Sequence, residues 1–138
     1  MESLVSRIKK SDVRTEPFPH IIVPNVLDED LCSQLFSEFP PLETITQGVK
    51  YGSNQRFSLS AKDVFKDQMV SQLWKRFIEV HVSNQFFQEF VDLFGEDIRK
   101  EHPSFEQKVG KLGELKCGIK KIDSFTEKDV LLDSQIMY

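Results

Sequence analysis

Apolar and polar residues alternate at the end of the chain and predict a β-strand over residues 130–138. Val130, Leu132, Ile136 and Tyr138 share one face at a period of two, the spacing of a half-buried strand. Terminal residues are usually polar and frayed unless a sheet holds them, so an apolar end predicts a pairing partner. We expect this partner on sequence beyond the residues given.

The first third of the chain shows two stretches with helical spacing. Residues 1–12 predict a short amphipathic helix through Leu4, Val5 and Ile8. A second helix is predicted after Asp28, a good N-cap, with Cys32 on its apolar face, and it ends before two prolines. Between the two helices, residues 21–23 predict a short buried strand that Pro24 stops.

The strongest helical signal lies in the middle of the chain. Apolar residues recur at steps of three and four over 69–81 and again over 86–98, with Ser83 or Asn84 as the cap between two helices. Residues 42–60 are polar and predict a long loop, with a brief edge strand at Phe57 and Leu59. Residues 108–123, which glycines interrupt, predict a loose hairpin.

This order of elements predicts an α+β fold in one domain over residues 1–138. A chain of this length buries roughly two-thirds of its unfolded surface, which is enough for one core. With 12 Phe and 39% hydrophobic residues, we expect a globular protein with a phenylalanine-rich interior. The predicted strands are few and most lie late in the chain, so we expect the β part of the fold to be incomplete in these residues.

Charge and hydropathy narrow the classes of function. A formal net charge of −4 disfavours nonspecific electrostatic binding to nucleic acid, so we expect no nucleic-acid partner. The sequence contains neither an apolar leader nor a run of the ~18 apolar residues that a membrane span needs. The two cysteines suggest no disulfide framework. We therefore expect a reduced, cytoplasmic protein without a membrane segment.

Candidate chemistry is sparse. None of the three histidines, His20, His81 and His102, has a carboxylate two residues later, and zinc-binding spacings are absent from the sequence, so we predict no metal ligands in this chain. We interpret His81 as a hydrogen-bonded core residue. Arg56, beside the predicted edge strand, is the candidate substrate-binding residue, because a guanidinium can clamp a carboxylate with two donors.

Two segments carry a resemblance to a known family. The stretch EPFPHIIVPNVLDEDLCSQLFSEFPP (residues 16–41) resembles the opening of the iron(II)- and 2-oxoglutarate-dependent oxygenases of the prolyl-hydroxylase-like group. The stretch WKRFIEVHVSNQFFQEFVDLFG (residues 74–95) is similar to the helical pair of that group. Together these cues lie within about the first two-thirds of the chain.

The resemblance implies a fold and a function. It implies a helical layer packed on the beginning of a double-stranded β-helix, or jelly roll, that is incomplete here. It also implies that Gln135 and Tyr138 precede the turn that delivers a His-x-Asp metal motif, and that Tyr138 binds the cosubstrate carboxylate. Iron(II) and 2-oxoglutarate would then serve the complete enzyme, a hydroxylase of a small-molecule or peptide substrate, while these residues alone would be inactive. Loop residues 47–56 would line the substrate entrance.

Two other classes of function stay open. The chain could be a non-catalytic interaction module that pairs its terminal strand with a partner or with its own copy, because an uncovered edge strand is a template for pairing. It could also be a small enzyme that uses Cys32, Cys117 or a histidine without a recognisable local motif.

Overall fold

The computed structural model describes residues 1–52 and 54–138. The described residues form α-helices at Glu29–Ser37 (α1), Leu42–Thr46 (α2), Ala61–Lys66 (α3), Gln72–Val80 (α4), Asn84–Glu101 (α5) and Phe105–Val109 (α6). They form strands at Val13–Arg14 (β1), His20–Ile21 (β2), Ser58–Leu59 (β3), Cys117–Ile119 (β4), Val130–Leu132 (β5) and Ile136–Met137 (β6). Short 3-10 helices occupy Lys10–Asp12 and Leu112–Glu114.

The strands pair into three separate two-stranded sheets, β1–β2, β3–β6 and β4–β5. The first two sheets are antiparallel and β4–β5 is parallel. The predicted α+β class is therefore confirmed. Within residues 1–52 and 54–138, however, the strands form no closed sheet or jelly roll, because each has two or three residues and a single neighbour.

The N-terminal segment differs from the predicted helix. Residues 4–7 form a turn and Lys10–Asp12 a single 3-10 turn. The Ser3 hydroxyl oxygen accepts the Ser6 N–H at 3.2 Å, and the Ser6 hydroxyl donates to the Ser3 carbonyl at 2.8 Å. Such local side-chain bonds compete with the helical ladder. The predicted strand at 21–23 is also shifted, to His20–Ile21, which pairs with β1 and leaves Ile22 exposed.

Helix α1 begins where predicted but packs differently. Asp28 Oδ1 accepts the N–H groups of Asp30 and Leu31 at 3.1 and 3.2 Å, which confirms the cap. Its buried residue is Leu35 alone, whereas Phe36 is 84% exposed and Cys32 lies on the surface. The prediction that Cys32 faces the core is therefore wrong.

The two central helices are confirmed. The Ser71 hydroxyl accepts the Trp74 N–H at 3.2 Å and begins α4, and the Ser83 hydroxyl accepts the Phe86 N–H at 3.1 Å and begins α5. Helix α5 ends at Glu101, ahead of His102 and Pro103, as the sequence predicts.

The predicted loop at 42–60 holds two elements of structure. Residues after Pro41 form α2, which ends at Gln47 with a left-handed backbone (φ 53°), and the predicted edge strand is present as β3. Ser53, within the same predicted loop, lies outside the described residues.

The C-terminal part differs most from expectation. The predicted hairpin at 108–123 is instead the end of α6, a 3-10 helix and β4, and β4 pairs in parallel with β5. The single strand predicted over 130–138 is broken at residues 133–135 into β5 and β6. Strand β6 pairs with β3, Leu59 opposite Ile136 and Ser58 opposite Met137. Both halves of the predicted strand therefore have a partner inside this chain.

Two hydrophobic clusters form the interior. The first cluster is aliphatic and joins α2, α3 and α4 to β3 and β6; its buried residues are Ile45, Leu59, Ala61, Val64, Val70, Ile78, Val82 and Ile136. The second cluster lies between α5, the second 3-10 helix and the β4–β5 sheet; its buried residues are Phe87, Val91, Leu112 and Leu115. Because Phe87 is the single phenylalanine among these buried residues, the expected phenylalanine-rich interior is wrong for the described part of the chain.

Candidate functional site

The β3–β6 sheet brings the two residues proposed from the sequence to the same edge of the molecule. Beyond the Ser58–Met137 pair, Phe57 N–H donates to the Tyr138 carbonyl at 3.1 Å, and Tyr138 N–H donates to the Phe57 carbonyl at 3.0 Å. Arg56 directly precedes Phe57 in the chain. The pairing of distant segments thus places Arg56 near Tyr138.

An aromatic cluster covers this edge. The Tyr51 ring lies 5.1 Å from the Phe57 ring and 6.5 Å from the Tyr138 ring, both in edge-on orientations. Edge-to-face pairs at these distances are favourable beyond the apolar area that they bury. The three rings therefore hold the loop after α2 against the end of the chain.

The polar groups of this edge face solvent. Tyr138 is 59% exposed, and its hydroxyl makes no hydrogen bond to any described residue. Arg56 and Lys50 are exposed, and neither forms an ion pair within residues 1–52 and 54–138. A tyrosine hydroxyl, an ammonium group and a guanidinium group can each donate hydrogen bonds to a carboxylate or another small anion.

An open cavity of about 420 Å³ lies next to the aromatic cluster, between α2 and the loop that follows it. Glu43, Thr46, Lys50 and Tyr51 supply its polar groups. Tyr51 belongs both to this cavity and to the ring cluster. Tyr51 is not predicted as a site residue from the sequence, because its contact with Tyr138 depends on the pairing of β3 with β6. A tyrosine between two glycines in a polar loop was the available signal.

The histidines offer no metal site. In the part of the chain that the structure describes, no group of three or more His, Cys, Asp and Glu side chains is placed to hold a metal ion. His81 is buried and uses both ring nitrogens in hydrogen bonds, to Leu4 and to Phe77, which confirms its predicted place as a bonded core residue. The His20 ring bonds the carbonyl of Phe18. These residues do not fit an iron centre of the kind that the resemblance implies.

The cysteines do not favour nucleophilic chemistry. Cys117 is half-buried in β4, and this burial, with a smaller contribution from the negative charge of Asp129, raises the pKa of its thiol above the usual value. The reactive thiolate form is therefore disfavoured. Cys32 is exposed on α1, and among the described residues no histidine takes part in a hydrogen bond with that helix that could activate the thiol.

Comparison with known proteins returns no match. No protein-family model, no curated protein and no solved structure matches the chain. In addition, none of the helices within the described ranges is both long enough and apolar enough to cross a membrane.

Proposed function

We propose that this chain is the N-terminal portion of an iron(II)- and 2-oxoglutarate-dependent dioxygenase of the prolyl-hydroxylase-like group. The observation that carries the proposal is that Tyr138 pairs through its backbone with Phe57, the residue that follows Arg56, although the two segments are far apart in the sequence. The two resembling segments also fold into continuous units, β2 with α1 and α4 with α5.

The proposal assigns limited chemistry to these residues. The complete enzyme would couple oxidative decarboxylation of 2-oxoglutarate to hydroxylation of a small-molecule or peptide substrate. Since the described residues do not fit an iron site, this chain would contribute to binding rather than to the reaction at the metal. The Tyr138 hydroxyl donates to a cosubstrate carboxylate, and the Arg56 guanidinium binds the substrate. The six helices would buttress a jelly roll, the outer edges of β3 and β6 offering places for added strands.

The exposed apolar side chains support a missing neighbour. Phe18, Phe36 and Phe125 are 63%, 84% and 75% exposed. Such side chains would be buried where another part of the complete protein packs on them. The free thiols also fit the cytoplasmic location that belongs to this proposal.

The first test is to read the encoding frame beyond the codon for Tyr138 and to measure the intact mass of the native protein. A His-x-Asp motif within about a strand and a turn would support the oxygenase, and a stop codon with a native mass of 16.0 kDa would refute it.

A second test uses the longer protein, with succinate formation as the readout. Tyr138→Phe is expected to raise KM for 2-oxoglutarate about tenfold by removal of one charge-assisted hydrogen bond. Tyr51→Phe, in the same ring cluster, is the matched control and should change KM little. Arg56→Ala should raise KM for the hydroxylated substrate instead. Equal effects of Tyr138→Phe and Tyr51→Phe would remove Tyr138 from the cosubstrate site.

The second candidate is a non-catalytic interaction module. The outer edge of β6 favours it, because this strand has one neighbour and its Met137 side chain is 56% exposed. Size-exclusion chromatography with light scattering is the test. A dimer that Met137→Lys dissociates would support strand pairing between copies, and a stable monomer at low micromolar concentration would argue against self-association.

A further inference from the structure

The N-terminal segment, residues 3–10, lies across α4 and α5 without forming a helix of its own, and we call it the strap. Two polar contacts fasten it to α5. The Ser3 hydroxyl donates to the Glu89 carboxylate, and Lys10 Nζ donates to the Leu93 carbonyl at 2.7 Å and lies 3.4 Å from Asp97 Oδ2. Its apolar side chains are half-buried, so packing alone holds it weakly.

Between these two contacts the strap is fastened by His81, which caps the end of α4 and is 7% exposed. Nε2 of His81 accepts the Leu4 N–H at 3.0 Å, and Nδ1 lies 2.7 Å from the Phe77 carbonyl, to which it must donate. A neutral imidazole carries one donor and one acceptor nitrogen. This pair of bonds therefore requires the neutral ring with its proton on Nδ1.

We propose that His81 is a proton-sensitive latch, and that protonation of its ring releases the strap from α4 and α5. The protonated ring is a donor at both nitrogens, so an Nε2–H would point at the Leu4 N–H. Leu4 would lose its acceptor at a partly buried position, and two donors would face each other. The Phe77 bond survives protonation, so the change falls on the strap alone.

Charged groups on the strap, α4 and α5 are engaged in pairs and hydrogen bonds of their own. Two exposed carboxylates near the strap are paired, Glu2 with Arg7 and Glu79 with Arg76 of α4. From α5, Glu89 faces the strap and accepts from Ser3 and from Gln85. Carboxylates as a class titrate in a more acidic range than imidazoles.

Release of the strap would change the surface. Two open cavities, of about 450 and 430 Å³, lie on either side of it, and Met1, Glu2 and Ser3 line both. The first cavity is bounded by residues 26–31 and the second by α4 and α5. With the strap displaced, the two would join into one groove, with the rings of His81 and Phe86 exposed at its base.

The test is nuclear magnetic resonance on the uniformly ¹⁵N-labelled chain. At pH 7.5 the two-bond nitrogen–proton couplings of His81 should show the Nδ1–H tautomer. Between pH 7.5 and 5.5 the Leu4 amide should lose about tenfold in protection from hydrogen exchange, after correction for the intrinsic rate, since one hydrogen bond is lost. Amides in the middle of α5 should keep their protection.

Variants separate the latch from other titrating groups. His81→Gln keeps a neutral donor and acceptor and should make the protection of Leu4 independent of pH. His102→Gln is the matched control and should retain the response of the unmodified chain, as should Glu89→Gln. In the unmodified chain, an Nε2–H tautomer of His81 at pH 7.5, or unchanged protection of the Leu4 amide at pH 5.5, would overturn the proposal. Both measurements can be made even if a variant fails to fold.

Discussion

The two hydrophobic clusters differ in how far apart along the chain their residues lie. The first cluster joins Ile45 in α2 to Ile136 in β6, across about two-thirds of the length of the chain. The second cluster draws its buried residues from Phe87 to Leu115. Residues in the first are 0–4% exposed, and those in the second 3–9%. The deeper cluster is thus the one that depends on long-range pairing.

This difference gives the end of the chain a structural role. Ile136 is 2% exposed and lies opposite Leu59, which is fully buried, in the β3–β6 sheet. Leu132 packs against both clusters. Residues 130–138 therefore close the first cluster and connect it to the second. Closing long loops costs entropy before contacts form, so we expect the first cluster to complete later in folding.

The largest effect is expected from truncation of the residue that closes the first cluster. Ile136→Ala should lower the free energy of unfolding by about 3 to 5 kcal/mol, because a deep site leaves a cavity that neighbours cannot fill. Leu112→Ala is the matched change in the second cluster and should cost about 2 to 3 kcal/mol. Urea unfolding of both variants measures the difference. An equal or larger cost for Leu112→Ala would remove the distinction between the clusters.

The next effect tests the sheet that connects the clusters. A Cβ atom added at Gly118 would lie 2.6 Å from Lys128 Cγ and 2.8 Å from Asp123 Cβ, so Gly118→Ala must displace the loop between β4 and β5. Asp123 Oδ2 also accepts the Ile119 N–H at 2.7 Å in that loop. We expect a cost of about 1 to 3 kcal/mol.

Gly52→Ala is the control for this change, because nothing lies within 4 Å of its added Cβ and its φ is not in the left-handed region. Its effect should stay within about 0.5 kcal/mol. If the two substitutions cost the same, close packing at Gly118 is not what holds the β4–β5 loop.

Local signals predicted the parts of the fold that depend on neighbours in sequence. The helical periodicity and serine caps of α4 and α5, and the Asp28 cap of α1, follow from residues three or four positions apart. The alternation through Phe57 and Leu59 predicts strand β3.

Other parts depend on partners that the sequence does not reveal. Apolar and polar residues do alternate over 130–138, but the strand is interrupted at Asp133. The carboxylate of Asp133 accepts a hydrogen bond from the first residue of α3. Pairing of β3 with β6 then brings the Tyr138 ring to 6.5 Å from the Tyr51 ring. Phenylalanines at helical spacing were expected inside, yet Phe36 is exposed, since α1 buries only Leu35.

Asp133 provides a smaller test of how the first cluster is closed. Its Oδ1 accepts the Ala61 N–H at 3.1 Å, and Ala61 is fully buried. Asp133→Ala would leave this donor without an acceptor and should cost about 1 to 3 kcal/mol, whereas Asp133→Asn keeps an oxygen in place and should cost less. Thermal unfolding compares them. Equal costs would show that charge rather than the hydrogen bond is what α3 requires.

The smallest effect concerns acid, and it compares a carboxylate beside each cluster. The Ser60 hydroxyl donates to Asp63 Oδ2 at 2.5 Å at the start of α3, and this bond is the main reason that the pKa of Asp63 lies below its ordinary value of 3.8. Beside the second cluster, Glu106 accepts the Leu112 N–H at 2.9 Å and the Arg99 side chain at 3.0 Å. These bonds lower the pKa of Glu106 too, the Leu112 bond most.

A carboxyl whose pKa is lowered by folding adds stability that is present above its unfolded pKa and is lost as the pH falls through the folded pKa. Asp63→Asn should therefore cost about 1 kcal/mol at pH 6, and the gap to the unmodified chain should close below about pH 4. Glu106→Gln should show the same direction of change. Urea unfolding at pH 6, 4 and 3 measures both, and a gap that stays constant for Asp63→Asn would assign its cost to packing. A gap that closes for both variants would mean that the carboxylates beside the two clusters stabilise the fold by the same mechanism, so that the clusters differ in burial and in sequence separation but not in their response to acid.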